Sequence, residues 1–165
     1  MIIRLIVILM FVIITCFANT FEKNGIKKGN SRISIGLLQE KNIIESKESI
    51  IKLDFTYGKF LTDKNEISLQ IHDSTDFRNH SYKIDVSYNY YFFKNPTFTP
   101  YVGFETGVTG DTFNDKLNNE YGISIGVHKF FTENLAVTIE TGIDFIDIKS
   151  LSEQYTNINL TYFFD

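Results

Sequence analysis

Residues 121–148, with the sequence YGISIGVHKFFTENLAVTIETGIDFIDI, decide the fold of this chain. Apolar residues alternate with small, polar or charged residues on both sides of the short segment 132–134. Alternation with a period of two over about ten residues is typical of β-strands and not of helices. The stretch therefore predicts two antiparallel strands, residues 121–131 and 135–148, joined by a turn. The apolar face of the second strand comprises Leu135, Val137, Ile139, Thr141, Ile143 and Phe145.

The fold depends on whether this apolar face points inward or outward. In a soluble sandwich or barrel it packs inside, whereas in an outer-membrane barrel it meets lipid and the polar face fills the lumen. Strands of about ten residues suit a tilted membrane crossing. Glycine also recurs on the polar face, where a narrow barrel must admit bulky neighbours. We therefore predict an outward apolar face. The predicted lipid-facing residues are Ile84, Val86, Phe104, Ile123, Ile125, Val137, Ile139 and Ile143.

The first 20 residues, MIIRLIVILMFVIITCFANT, are typical of a secretory signal peptide. Arg4 supplies the positive charge, residues 5–14 form the apolar segment, and small residues at 16 and 18 predict cleavage after Ala18. A membrane-spanning helix is the weaker alternative, because the apolar run is shorter than the ~20 residues needed. Lipid attachment at Cys16 is a further alternative, although Thr15 fits the preceding position poorly.

The rest of the chain has the composition of one cysteine-free domain. Cys16 is the only cysteine, so cleavage would leave no thiol for disulfides, metal binding or catalysis. The net charge of −4 offers no basic field for nucleic acid. We predict a signal peptide at residues 1–18, a loose periplasmic lead-in at 19–30 and an outer-membrane β-barrel at 31–165.

Period-two alternation predicts eight strands in all. They span residues 31–39, 49–60, 66–72, 80–93, 99–109, 121–131, 135–148 and 154–164. The connections after the second, fourth and sixth strands are predicted to be shorter than the others, as in a barrel with periplasmic turns and extracellular loops. Aromatic residues near these turns predict an interfacial girdle. They are Tyr57, Phe60, Phe130, Phe131 and the runs 90–93 and 162–164.

Three segments, YFFKNPTFTPYVGFETG at 91–107, YGISIGVHKFFTENLAVTIETGIDF at 121–145 and INLTYFF at 158–164, carry a family resemblance. They resemble the small porin-like outer-membrane β-barrels of Gram-negative bacteria, which share the architecture of the OmpA-like transmembrane barrel. The resemblance is one of pattern, covers essentially the whole of residues 19–165 and includes no catalytic motif. It implies an all-β, eight-stranded antiparallel up-and-down transmembrane β-barrel.

The resemblance also implies a cellular route. Such proteins are secreted to the periplasm, met by periplasmic chaperones and inserted among outer-membrane lipids by the barrel-assembly machinery. Their C-terminal assembly signal, alternate apolar residues closing on an aromatic one, resembles Ile158, Leu160, Tyr162 and Phe164. Asp165 follows the final aromatic residue here and departs from that pattern.

The predicted polar face carries a charge network. It comprises Arg32, Lys52, Asp54, Glu66, Lys83, Asp85, Glu105, Glu140 and Asp144. An eight-stranded barrel is just wide enough for its side chains to fill, and buried charges require partners. We therefore expect a closed interior of cross-lumen ion pairs and water. The alternative is a path for small cations, because the acidic residues of this set outnumber the basic ones by six to three.

No other constellation predicts chemistry. The histidines His72, His80 and His128 lack ligand spacing. The acids Asp111, Asp115 and Glu120 around the longest predicted loop lack the pattern of a calcium site, so a solvated acidic loop is expected there. The group His72, Ser74 and Asp76 is close in sequence only, which does not make a catalytic triad. We expect no metal, no cofactor and no catalysis.

The favoured function is that of an integral outer-membrane protein with a structural or surface-interaction role, in envelope integrity, adhesion or host contact. A narrow porin-like channel for small solutes or cations is the alternative, and a lipid-modifying enzyme is less favoured. The sequence identifies no ligand for the surface loops and no oligomeric state.

Overall fold

The computed structural model of the protein describes residues 24–42, 50–75, 80–92, 95–111, 117–146 and 150–165. The predicted signal peptide, its cleavage after Ala18 and Cys16 lie outside these ranges and stay predictions. In the described residues no helix is long and apolar enough to cross a membrane.

Eight strands make up the fold. They are β1 (Ser31–Asn42), β2 (Ile50–Phe60), β3 (Asn65–Thr75), β4 (His80–Tyr91), β5 (Phe98–Asp111), β6 (Leu117–Phe130), β7 (Leu135–Ile146) and β8 (Ser150–Phe164). Each strand pairs antiparallel with the next, and β1 pairs with β8 from Ser31↔Phe164 to Asn42↔Glu153. This last pairing closes the sheet. The predicted eight-stranded antiparallel barrel is confirmed.

The connections lie at two opposite ends of the barrel. The described connections 61–64 and 131–134 lie at the end of the barrel where β1 begins and β8 ends, called here the turn end, and the opposite end is called here the loop end. The predicted contrast in length stays a prediction, because the connections at the loop end lie outside the described residues. Two strands continue further at the loop end than alternation indicated, since β5 runs to Asp111 and β6 begins at Leu117, which shortens the predicted loop between them.

The alternating pattern places polar residues inside the barrel and apolar residues outside. On β6, Ser124 is buried while its neighbours Ile123 and Ile125 are 45% and 62% exposed. Six of the eight residues predicted to face lipid are exposed on the outer surface: Ile84, Val86, Phe104, Ile123, Ile125 and Ile139. Ile143 is half-buried.

Val137 departs from the expectation of an exposed side chain, since it is only 7% exposed. Its register partners on the two flanking strands are Lys129 and Leu160, which share its face of the sheet. Because both neighbouring side chains are larger than valine, they cover most of the solvent-accessible surface of Val137. The side chain therefore contributes to packing between outward residues more than to the outer surface.

Glycines on the inner face lie beneath large side chains of the neighbouring strand. Gly126 pairs with Tyr101 and Gly142 pairs with Tyr155. A Cβ atom would stand 2.3 Å from Tyr101 Cζ at the first site and 2.5 Å from Tyr155 Cζ at the second. Only glycine lets these rings lie across the neighbouring strand, an arrangement known from edge glycines covered by aromatic rings.

Candidate functional site in the barrel interior

The interior is filled with charged and polar side chains. Among the residues that the structure describes, it holds seven carboxylates that are each 5% exposed or less: Asp54, Glu66, Asp85, Glu105, Glu120, Glu140 and Asp144. The buried basic side chains in the same part of the chain are Arg32, His72, Lys83 and His128. Because buried carboxylates need hydrogen-bond donors or cations, the arrangement of donors decides what this interior does.

A buried ion pair lies nearest the turn end. Arg32 Nε of β1 donates to Glu66 Oε1 of β3, and both side chains are almost fully buried. The second oxygen of Glu66 accepts hydrogen bonds from Tyr91 Oη at 2.6 Å and from Asn89 Nδ2 at 3.2 Å. Glu66 therefore has donors at both oxygens.

A chain of hydrogen bonds returns from Arg32 to Glu66 around the inside of the barrel. Its links are Arg32 Nη1 to Ser34 Oγ (2.8 Å), Ser34 Oγ to Thr161 Oγ1 (2.9 Å), Thr161 Oγ1 to Thr138 Oγ1 (2.6 Å), Thr138 Oγ1 to His128 Nδ1 (2.7 Å) and His128 Nε2 to Tyr91 Oη (3.1 Å). Together with the Tyr91–Glu66 bond and the ion pair, these links form a closed ring, called here the polar ring.

Arg32 and Glu66 fix the direction of the hydrogen bonds in the polar ring. A guanidinium only donates and a carboxylate only accepts, so Tyr91 uses its single proton on Glu66. Tyr91 Oη must then accept from His128 Nε2–H, and Nδ1 of the same neutral ring accepts from Thr138. Every hydroxyl in the ring thus donates once and accepts once. The assignment gives His128 the tautomer with its proton on Nε2.

Tyrosine hydroxyls supply donors to the glutamates in the middle of the barrel. Tyr101 Oη of β5 donates to Glu140 Oε2 of β7 at 2.5 Å. Tyr155 Oη of β8 donates to Glu105 Oε1 of β5 at 2.6 Å, across the lumen. Both carboxylates thus gain a neutral, strong donor rather than a direct ion-pair partner.

Near the loop end, Lys83 is surrounded by carboxylates. Its Nζ lies 2.5 Å from Asp144 Oδ2, 3.5 Å from Asp85 Oδ2 and 3.7 Å from Glu120 Oε2. The ammonium group also lies over the Tyr155 ring, 5.6 Å from its centroid. One cation from β4 therefore links carboxylates of β4, β6 and β7.

His72 extends this cluster to β2. Its Nδ1 lies 3.1 Å from Asp54 Oδ1 and its Nε2 lies 3.3 Å from Asp85 Oδ2. Asn159 Nδ2 of β8 donates to the other oxygen of Asp54 at 2.8 Å. Contacts across the lumen thus join strands that are not neighbours in the sheet.

An aromatic layer closes the turn end below the polar ring. It consists of the buried residues Ile26, Phe60, Tyr91, Tyr101, Phe130, Ala136 and Phe163, called here the plug. Ring centroids are 5.4 Å apart for Phe60 and Tyr91 and 5.0 Å apart for Phe130 and Phe163, within the range of favourable aromatic contacts. These side chains are each 2% exposed or less, so they pack closely against one another across the barrel at this level.

The plug corrects part of the predicted aromatic girdle. Phe60, Tyr91, Phe130 and Phe163 were expected at the membrane interface, and all four point into the barrel. Successive residues of a strand face opposite sides, so an aromatic run near a turn divides between the two faces. The outward members, which are exposed, are Tyr57, Tyr90, Phe92 and Tyr162.

The sequence matches no protein-family model and no curated protein. The structure is similar to three solved outer-membrane proteins. For OprG of Pseudomonas aeruginosa the TM-score is 0.67 at 14% identity, covering 87% of this chain and 99% of that chain. For Ail, the attachment invasion locus protein of Yersinia pestis, the TM-score is 0.63 at 13% identity, covering 83% of this chain and 99% of that chain. For the N-terminal barrel domain of Pseudomonas aeruginosa OprF the TM-score is 0.62 at 17% identity, covering 83% of this chain and 98% of that chain.

The chain has the fold of the small eight-stranded outer-membrane barrels. At these identities the likeness is one of fold.

Within this outer-membrane-type barrel, the structure brings most of the predicted charge network together. Arg32 meets Glu66, Lys83 meets Asp85 and Asp144, and Asp54 joins them through His72. Glu105 and Glu140 are held by tyrosines instead. The side chain of Lys52 lies outside the described residues.

The donors Tyr91 and Tyr155 were not among the predicted site residues. The signal for Tyr155 was present, since it lies in phase with the inward residues of β8 and its register partner is Gly142. Glu120, expected in a solvated acidic loop, is instead 3% exposed beside Lys83. It is an inward residue of β6, because that strand begins earlier than predicted.

The other predicted groups do not converge. His72 and His128 lie in different layers, and the part of the chain that the structure describes has no group of three or more His, Cys, Asp or Glu side chains placed to hold a metal ion. Ser74 Oγ contacts Ser81 Oγ at 2.5 Å. The side chains of His80 and Asp111, and the residues Asp76 and Asp115, lie outside the described residues.

The residues of the predicted assembly signal share the outer face of β8. Leu160 and Tyr162 are exposed, and Ile158 and Phe164 are half-buried. The rings of Tyr162 and Phe164 stack with centroids 6.3 Å apart. Asp165, which follows them, pairs with Lys27 Nζ at 3.0 Å.

Proposed function

We propose that this protein is an integral outer-membrane β-barrel with a closed lumen, which anchors its loop end at the cell surface and acts there in envelope integrity, adhesion or host contact. The observation that carries the proposal is the inverted distribution of side chains: exposed aliphatic and aromatic residues outside, buried charges inside.

The outer surface supports insertion in a bilayer. On β4 every outward residue from Tyr82 to Tyr90 is apolar or aromatic and exposed, and so is Phe92 just after the strand. Ten residues of strand cover about 34 Å, which a tilted strand reduces to roughly the 25 Å of an outer-membrane apolar band. A continuous apolar surface of this extent is unfavourable on a monomer in water, so we infer that this surface contacts lipid.

The even number of strands supports one orientation of the barrel in the outer membrane. Because eight is even, the start of β1 and the end of β8 lie at the turn end, which small barrels place in the periplasm. This orientation requires secretion through the predicted signal peptide, escort by periplasmic chaperones and insertion by the barrel-assembly machinery. The outward series ending at Tyr162 and Phe164 offers that machinery its recognition signal.

The filled interior supports a role without transport. The plug closes the turn end, and the polar ring and the Lys83 cluster cross the lumen above it. Eight strands leave just enough space for side chains. Activity is therefore expected at the loop end. A surface role there is compatible with the similar fold of Ail, an attachment invasion locus protein.

Membrane fractionation and gel migration test the proposed location. We expect the protein in the outer-membrane fraction, with a compact form that migrates differently until it is boiled. A periplasmic species whose migration is indifferent to boiling would contradict the proposal.

A narrow cation channel is the second candidate, favoured by the excess of buried carboxylates. Planar-bilayer recording of the purified protein separates the two candidates. A closed lumen predicts no stable single-channel steps. Steps that disappear in Glu105→Gln and Glu140→Gln variants would favour the channel.

A further inference from the structure

Residues 24–30, predicted to be a loose lead-in, lie across the mouth of the barrel at the turn end. They attach first to the connection between β2 and β3. Lys28 N–H donates to Asp63 Oδ1 at 2.8 Å, and Gly29 N–H donates to Phe60 O at 3.0 Å. Phe60 N–H donates in return to Asn30 O at 2.9 Å. The segment thus continues the backbone pairing of the sheet beyond the start of β1.

The same segment reaches the other side of the mouth. Asn24 Nδ2 donates to Asn95 O at 3.0 Å and lies 3.1 Å from Thr99 Oγ1, so it joins the connection between β4 and β5. Gly25 lies against Phe163 so closely that a Cβ would stand 2.3 Å from Phe163 Cβ. Residues 24–30 therefore bridge strands on opposite sides of the barrel.

Hydrogen bonds within the segment hold its shape. Asn30 Nδ2 donates to Gly25 O at 3.1 Å, and Asn30 N–H donates to Lys27 O at 3.1 Å. Gly29 has a φ of 91°, in the left-handed region that favours glycine. The segment is therefore a folded turn rather than an extended tail.

One apolar side chain of the segment enters the plug. Ile26 is 1% exposed and belongs to the cluster of Phe60, Phe130 and Phe163. Its neighbours Lys27 and Lys28 are exposed. The pattern of one buried aliphatic residue among polar ones matches a segment that seals an opening with a single side chain.

We infer that residues 24–30 form a clasp, which locks the turn end of the barrel and completes the plug. The clasp lies at the seam where β1 pairs with β8: it leads into Ser31, packs on Phe163 and contacts Asp165 through Lys27. This seam joins the parts of the barrel that are furthest apart in sequence, so closing it loses the most chain entropy. Contacts that hold the seam stabilise the closed barrel.

Protease protection tests the clasp, because Lys27 and Lys28 are trypsin sites with exposed side chains. Cleavage requires the backbone to open locally. In folded protein in detergent micelles, we expect wild type to resist cleavage after these lysines. Ile26→Asp should undock the clasp and accelerate this cleavage by about tenfold or more, since it places a charge in an apolar layer.

Leu61→Asp is the matched control, because it introduces the same charge at the turn end in place of a residue that is 47% exposed. Cleavage after Lys27 and Lys28 should stay at the wild-type rate in this variant. Equal cleavage in wild type and Ile26→Asp, or equal acceleration by both substitutions, would overturn the clasp.

A milder variant and a second measurement keep the inference testable if Ile26→Asp does not fold. Ile26→Ala should accelerate amide exchange at Gly29 and Phe60, which bond across the clasp, while Ser124 in the middle of β6 keeps its wild-type rate. Unchanged exchange at Gly29 and Phe60 would contradict the clasp. The result does not depend on where the barrel resides or on whether it conducts.

Discussion

Tyr101 donates a 2.5 Å hydrogen bond to Glu140 across Gly126, the residue of β6 that lies between them in register. The phenol ring lies over the glycine, so a residue on β5 reaches a carboxylate on β7. Tyr155 reaches Glu105 over Gly142 in the same way, so both contacts depend on the absence of a side chain beneath the tyrosine ring.

Gly126→Ala is therefore expected to destabilise the barrel. The new Cβ would meet the Tyr101 ring at 2.3 Å, and overpacking of this kind costs about 1–3 kcal/mol. In a Tyr101→Ala background the same substitution should be neutral or mildly stabilising, because the ring is gone. Urea unfolding of the four proteins in lipid vesicles measures the coupling, and a penalty that persists without the ring would contradict this account.

Lys83→Met is expected to destabilise strongly. It removes the cation beside Asp85, Glu120 and Asp144, and breaking a buried ion pair from one side costs about 3–5 kcal/mol. Adding Asp144→Asn should recover part of the loss, since it removes one buried charge. Lys64→Met, at an exposed position, should change the unfolding free energy by less than about 0.5 kcal/mol. Equal effects of the two lysine substitutions would refute a cluster held by Lys83.

The polar ring predicts the tautomer of His128. Because Tyr91 donates to Glu66, His128 must carry its proton on Nε2 and accept at Nδ1 from Thr138. Nitrogen-15 NMR of the folded protein should show this neutral tautomer. Thr138→Val should perturb the Nδ1 signal by removing its donor. A proton observed on Nδ1 would reverse the assigned direction of the ring.

Alternation in the sequence was enough to predict eight strands and the inward position of residues such as Asp85 and Glu105. It did not predict which inward side chains meet. Tyr155 and Glu105 lie on strands three positions apart in the sheet and touch only because the barrel is closed and narrow. Period-two patterns fix the face of a residue but not its partner across the lumen.

The two ends of the barrel were predicted less well, for separate reasons. At the turn end, Phe60 and Phe130 are as suitable for a membrane interface as for a plug. Only their inward position in the alternation of the strand distinguishes these two locations. Among its described residues, 24–30, the lead-in contains a single large apolar residue, Ile26, whose burial depends on an opening that exists only in the closed barrel. At the loop end, polar strand residues such as Asn118 resembled a loop because they lie beyond the apolar band.

Tryptophan quenching tests the central claim, that apolar residues face lipid and the interior is closed. The chain contains no tryptophan, so Ile125→Trp on the outer face of β6 and Phe130→Trp in the plug each give a single emitter. In vesicles of lipids brominated along the acyl chain, we predict strong quenching of the tryptophan at position 125 and little at position 130. Quenching at 130 with none at 125 would contradict the inside-out arrangement on which the whole account rests.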